Sequence, residues 1–188
     1  MAERLDDAPG LTETLLTAPA IGAFYLKQAF APLLLGPSYP LRAVTTDGMN
    51  AATFFVPRAV VLVAGVAMLL LAWRRPLAVV GLALFALLLA PSLNIGVFLG
   101  ERIVQDRYLY LPLLGLVLIV VEAARWAFKA ERSSSPMPPV MIAAGLGLLA
   151  LVCTIATRSY APVWTSETAL WTRAVRTDPT SAMNRALL

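Results

Sequence analysis

Four stretches of this chain are apolar over about the length a helix needs to cross a bilayer, and they leave room for few other folds. A spanning helix takes about twenty mostly apolar residues, because its backbone must satisfy its own polar groups once water is excluded. Phe55 to Trp73 is the first such stretch. Leu77 to Phe98 is the second, with Pro91 placed to kink it or end its last turns. The third runs from about Tyr108 to Phe128 and the fourth from about Pro139 to Thr157. Of the 188 residues, 59% are hydrophobic and 14% charged, and mean hydropathy is +0.76. A soluble core does not need so much apolar material. The chain therefore reads as an all-α, polytopic membrane protein with about four transmembrane helices.

The charges between these stretches set an orientation. Arg74 and Arg75 form a very short positive connection after the first, and Arg125, Lys129 and Arg132 cluster between the third and fourth. Between the second and third, Glu101, Arg102, Asp106 and Arg107 cancel. The positive-inside rule puts the first and third connections in the cytoplasm, and both termini and the Asp106–Arg107 segment outside it. The expected location is a bacterial inner membrane, or the endoplasmic reticulum membrane in a eukaryote. The net charge of +4 does not point to nucleic acid, because the basic residues are spread among loops and form no basic face. They read as topology signals and contacts to anionic lipid headgroups. Residues Met1 to Asp7 carry three acids and no apolar run with a cleavage site follows, so no signal peptide is read. With no span before residue 55, the expectation is a piece of a longer chain.

Leu15 to Leu35 is apolar but interrupted by Pro19 and Pro32, with Tyr25, Lys27 and Gln28 in its middle. An interfacial helix along the outer leaflet fits this mixture, with Phe24 and Tyr25 at headgroup level; the alternative is a disordered loop or a packed re-entrant segment. Gly36 to Pro40 is a turn-rich link. After the fourth stretch the composition becomes that of a soluble helix. Leu170, Trp171, Ala174 and Val175 follow a helical apolar stripe, Asp178-Pro179 stops it, and Ser181 or Thr180 caps a second helix. A helical hairpin alone cannot bury such a stripe.

The chemistry concentrates in Asp106-Arg107-Tyr108-Leu109-Tyr110-Leu111-Pro112, charges and aromatics set against an uncharged run. Charge at that boundary anchors or works. One reading is an interfacial salt bridge, with Tyr108 and Tyr110 in the aromatic belt. The other has Arg107 gripping a lipid phosphate through its bidentate fork, with Asp106 or Glu101 orienting it or accepting a hydroxyl proton. Glu101 and Asp106 are also a possible carboxylate pair, though nothing in their spacing makes them converge. Glu122 reads as a snorkelling partner of Arg125, and Asn94 as lining a polar cavity or bonding backbone that Pro91 frees. There is no histidine, and the single Cys153 sits in an apolar run. Common catalytic triads and metal sites are thereby excluded, and no catalytic residue, metal or cofactor is assigned.

Taken as an ordered set, these motifs resemble a known family. Pro91-Ser92 followed by Asp106 to Pro112 is similar to the [E/D]-R-Y-L-Y-L-P signature of polytopic membrane proteins with C-terminal tetratricopeptide repeats. That group includes the transmembrane and tetratricopeptide-repeat O-mannosyltransferases and their bacterial relatives. Trp164, Glu167, Leu170, Trp171, Ala174, Pro179 and Ser181 match the family's entry to its repeats, and Tyr25-Leu26 with Pro32-Leu33 resembles its lumenal helix. The likeness covers about residues 15 to 185. It implies a C-type glycosyltransferase membrane fold, a polyprenyl-phosphate sugar donor, protein O-glycosylation (O-mannosylation in the family), and a protein acceptor or partner reached through helical repeats. The family's acidic catalytic loop lies nearer its N-terminus and has no counterpart here. The expectation is the C-terminal membrane half of such an enzyme, inactive alone. It divides into an extracytoplasmic segment with an interfacial helix (1–54), a four-helix transmembrane region (55–157) and the start of a helical-repeat domain (158–188). On this expectation Arg107, Asp106, Tyr108, Tyr110 and Glu101 hold the lipid phosphate or substrate. The competing reading is a non-enzymatic membrane anchor that presents a tetratricopeptide-repeat scaffold. A transporter ranks last, because the centres of the stretches hold almost no polar residues.

Overall fold

The computed structural model describes residues 9–32, 35–97, 103–130 and 139–188. Among them there are seven α-helices and no strand: α1 (Leu11–Phe30), α2 (Val56–Arg74), α3 (Pro76–Leu89), α4 (Tyr110–Ala130), α5 (Pro139–Tyr160), α6 (Glu167–Thr177) and α7 (Ala182–Ala186). Three segments are long and apolar enough to cross a membrane: Ala51–Arg74, Pro76–Leu93 and Asp106–Trp126. Of the fourth apolar stretch, the described residues form α5, a helix of 22 residues.

Local chemistry explains most boundaries. Asn50 caps a π-helical turn, Ala51–Phe55, by accepting from the Ala52 and Thr53 amides, and α2 continues from it. Arg75 alone separates α2 from α3, whose first residue is Pro76, a position where the missing N–H costs nothing. α3 stops at Leu89, and Pro91 lies in the 3₁₀ turn that follows, Ala90–Leu93, so the proline does end the helix. The Ser92 hydroxyl donates to the Leu89 carbonyl at 2.7 Å. The backbone bond expected of Asn94 is thus made by buried Ser92, while Asn94 itself is exposed. At the far end of α4, buried Glu122 pairs with Arg125 at 3.1 Å, the ion pair expected.

α3 and α4 form the tightest pair. Gly81 and Gly115 face each other, and a Cβ on Gly81 would lie 2.7 Å from the Gly115 carbonyl oxygen. Small residues let helix backbones approach where lipid gives no hydrophobic drive for association. The main core lies at one end of this pair. Ile21, Tyr25 and Leu26 of α1, Tyr39, Phe85 and Leu89 of α3, Ile95, Ile103 and Val104, and Leu109 and Leu116 form one buried cluster.

The structure departs from the sequence pattern in two places. α1 runs through Pro19 for 20 residues, and its Tyr25 is fully buried in that cluster and not on an open helix face. The ring meets the end of α3 and the segment before α4, both distant in the chain, which a local pattern does not display. The C-terminal hairpin, α6 and α7, is not a lone unit either. Ser166 caps α6 and Ser181 caps α7. The pair then docks on residues 35–42: Arg42 binds Asp178 at 2.7 Å, Asn184 donates to the Ser38 hydroxyl at 2.7 Å, and Arg173 donates twice to the Leu35 carbonyl.

Candidate functional site

Asp106 opens a 3₁₀ turn, Asp106–Leu109, that leads into α4. Buried Ile103 and Val104 bring the chain to it through the core. Its carboxylate, part-buried, accepts hydrogen bonds from two elements far away in the chain. The Tyr39 hydroxyl donates to it, 2.7 Å from Oδ2 and 2.8 Å from Oδ1, and the Gln28 amide donates to Oδ1 at 3.0 Å. Tyr39 is held in turn, accepting from the Gly36 amide and from Gln28, each at 3.0 Å. Its ring packs edge-on against Phe24, with centroids 4.8 Å apart. One residue before Asp106, the Gln105 carbonyl accepts from the Tyr25 hydroxyl at 3.3 Å, and the Gln105 amide donates back to it at 3.4 Å. Three segments, α1, the 36–40 link and the approach to α4, are therefore tied at a single carboxylate.

The electrostatics follow from that packing. Burial lifts the Tyr25 phenol from 10.0 to about 12, against the backbone bond of Gln105 that lowers it. Burial, with the hydrogen bond to and charge of Asp106, pushes the Tyr39 phenol further above its ordinary value. Both phenols stay protonated at any physiological pH, and Tyr39 acts on Asp106 as a fixed donor.

Arg107 lies outside this network. Its side chain is exposed, its guanidinium donates to the Tyr108 hydroxyl at 3.1 Å, and it sits over the Tyr108 ring. Asp106 does not orient Arg107, contrary to the expectation from sequence: the carboxylate turns inward to Tyr39 and Gln28, and the guanidinium turns outward. A short polar side chain beside a buried phenol finds its partner there, while the long arginine reaches solvent. Tyr110, the first residue of α4, is 73% exposed. Glu101 lies outside the described residues. Arg107, Tyr108 and Tyr110 are thus neighbours at the head of α4, with Asp106 behind them.

Tyr39, Gln28 and Tyr25 belong to this site although no local motif assigns them to it. The available signals are a lone glutamine in an apolar helix and a tyrosine between Pro37 and Pro40. Removing the phenol oxygen tests the network. Tyr39→Phe leaves Asp106 with Gln28 alone, and the fold is expected to lose about 1–3 kcal/mol in denaturant titration of the purified protein. Comparison with known protein families, curated proteins and solved structures finds no match.

Proposed function

We propose that this is a four-span membrane protein with both termini outside the cytoplasm, and that the Arg107–Tyr110 corner holds the phosphate of a polyprenyl-phosphate sugar donor. The activity served is a C-type glycosyl transfer, protein O-glycosylation being the reading that the motif resemblance favours. The observation that carries this is the state of Arg107: an exposed guanidinium at the head of a helix long and apolar enough to cross a membrane, bonded to the Tyr108 hydroxyl and to no carboxylate among the described residues. Beyond it, Tyr110, Leu111, Leu114, Val117 and Val121 form an exposed apolar surface of α4 on which an isoprenoid chain can lie. A guanidinium presents a planar fork of donors to phosphate oxygens, which lysine does not. In this reading Asp106, through Tyr39 and Gln28, positions the turn that carries Arg107. The chain binds the donor, and transfer itself needs acid–base groups that this corner does not assemble among the described residues.

The test is binding of polyprenyl phosphate, against neutral polyprenol, to the purified protein in nanodiscs. Arg107→Ala is expected to weaken polyprenyl-phosphate binding at least about tenfold, the loss of a bidentate charged contact, while helix content is unchanged. Undiminished binding by the variant sinks the proposal. It favours the second reading, a membrane anchor presenting a helical scaffold, which draws on the docked α6–α7 hairpin.

A further inference from the structure

At the end of α5 the Tyr160 hydroxyl is buried and donates to no acceptor among the described residues, its polar neighbour being the Trp164 indole, a donor. It lines a cavity of about 340 Å³ together with Ser159, Ala156, Val163, Leu35 and Arg173. The side chains nearest it are mostly donors, and the Leu35 and Ala156 carbonyls already accept from Arg173 and Ser159. The Trp164 indole, its ring perpendicular to that of Tyr160 with centroids 6.1 Å apart, can only donate. Arg173 uses Nε and one terminal nitrogen on the Leu35 carbonyl, at 3.1 and 3.0 Å, and its other amino group has no partner among the described residues. The Ser159 hydroxyl already gives its proton to the Ala156 carbonyl. Asp106, a carboxylate within electrostatic reach of Tyr160, is taken up by Tyr39 and Gln28. The Tyr160 proton has no acceptor among the described residues, and a cationic fork lines the same cavity.

An unsatisfied buried donor costs free energy, and that cost disappears when an acceptor enters. A ligand that suits this cavity is small, rich in acceptor oxygens and negative. We propose that the cavity is a phosphate-binding site, with the Tyr160 hydroxyl and the Arg173 guanidinium as its donors. It is separate from the Arg107 corner and does not rest on it. The phosphate can belong to a lipid headgroup or be free in solution, and the two are told apart by experiment.

The full chain in neutral phosphatidylcholine nanodiscs is titrated with inorganic phosphate, polyprenyl phosphate and neutral polyprenol by calorimetry. Tyr160→Phe removes one oxygen and should lower phosphate affinity about tenfold, the size of a hydrogen bond to a charged acceptor. Its unfolding midpoint without ligand should change little, because the lost hydroxyl donated to no acceptor among the described residues. Arg173→Lys should weaken binding as well, since an ammonium lacks the fork. Loss of affinity for both phosphates identifies a site for the phosphate group itself, and loss for polyprenyl phosphate alone identifies a lipid-linked phosphate. Equal affinity of wild type and Tyr160→Phe for both, or no phosphate binding by the wild type, overturns the proposal. If Arg107→Ala abolishes polyprenyl-phosphate binding while Tyr160→Phe leaves binding of both phosphates intact, the corner stands and the cavity falls. If Tyr160→Phe weakens binding and Arg107→Ala does not, the cavity stands and the corner falls.

Discussion

Gly115→Leu is expected to push α3 and α4 apart and to cost at least about 3 kcal/mol, the upper range for overpacking a rigid interface. A Cβ at this position meets backbone, which cannot rotate out of the way: the Gly81 carbonyl oxygen and the Phe85 amide are its nearest neighbours. The same contact seen from Gly81 includes Ile119 and Leu118 of α4 at 3.0 and 3.1 Å. Because Phe85, Leu89, Leu109 and Leu116 belong to the main core, opening this pair also loosens the cluster that holds Asp106 and Tyr39. Gly65→Leu is the matched control, since nothing lies within 4 Å of a Cβ there. Circular dichroism during denaturant titration in detergent should show a lowered midpoint for Gly115→Leu and an unchanged one for Gly65→Leu. Equal midpoints for the two variants would mean that the glycine crossing does not support the bundle.

The second large effect concerns the C-terminal hairpin. Asp178 is fully buried and its carboxyl is held below the usual 3.8: burial pushes it up, but hydrogen bonds from Thr180 and Arg42 and the Arg42 charge outweigh that. A carboxyl whose value is lowered by folding stabilises the fold above its unfolded value, and loses that contribution as pH falls through the lowered one. Docking of α6 and α7 should therefore be constant near neutrality and weaken below about pH 4. Asp178→Ala leaves Arg42 without its carboxylate and should cost about 2 kcal/mol, less than a fully buried pair because Arg42 is 35% exposed. Limited proteolysis reads this directly. Cleavage between residues 165 and 188 should rise in the variant at pH 7 and in the wild type only under acid. A wild type that resists acid while the variant is cut would show that packing, not the charge, holds the hairpin.

How far the sequence carries depends on the range of each interaction. Helix limits are legible where a local breaker sets them: Pro76 starts α3, Pro91 ends it, and Ser181 caps α7. The Glu122–Arg125 pair is legible because its partners lie one turn apart on one helix. Burial is not. α2 and α3 are apolar nearly all round, so no stripe marks which side meets protein. Tyr25 carries the aromatic–polar character of a headgroup residue and is nevertheless enclosed. The candidate site shows the same division. The Asp106 to Tyr110 cluster is visible as a motif, but Tyr39 reaches Asp106 across 67 positions and Gln28 across 78. Nor does any local pattern announce that Arg42 will meet Asp178, 136 positions on.

Arg107, just before α4, and Arg125, within it, are spaced like the marks of a ruler. At about 1.5 Å per residue, the helix between Arg107 and Arg125 is about 27 Å long, close to the roughly 30 Å of a bilayer's hydrocarbon. Arg107 is held by the tyrosine beside it, and Arg125 by Glu122. For a helix of this length that spans a bilayer, a thicker membrane thins locally at its ends and a thinner one makes it tilt. If α4 spans a bilayer as proposed, α3, which meets it through bare glycine backbone, would tilt with it, and lipid thickness would act on the Asp106 turn as a lever acts on its short arm.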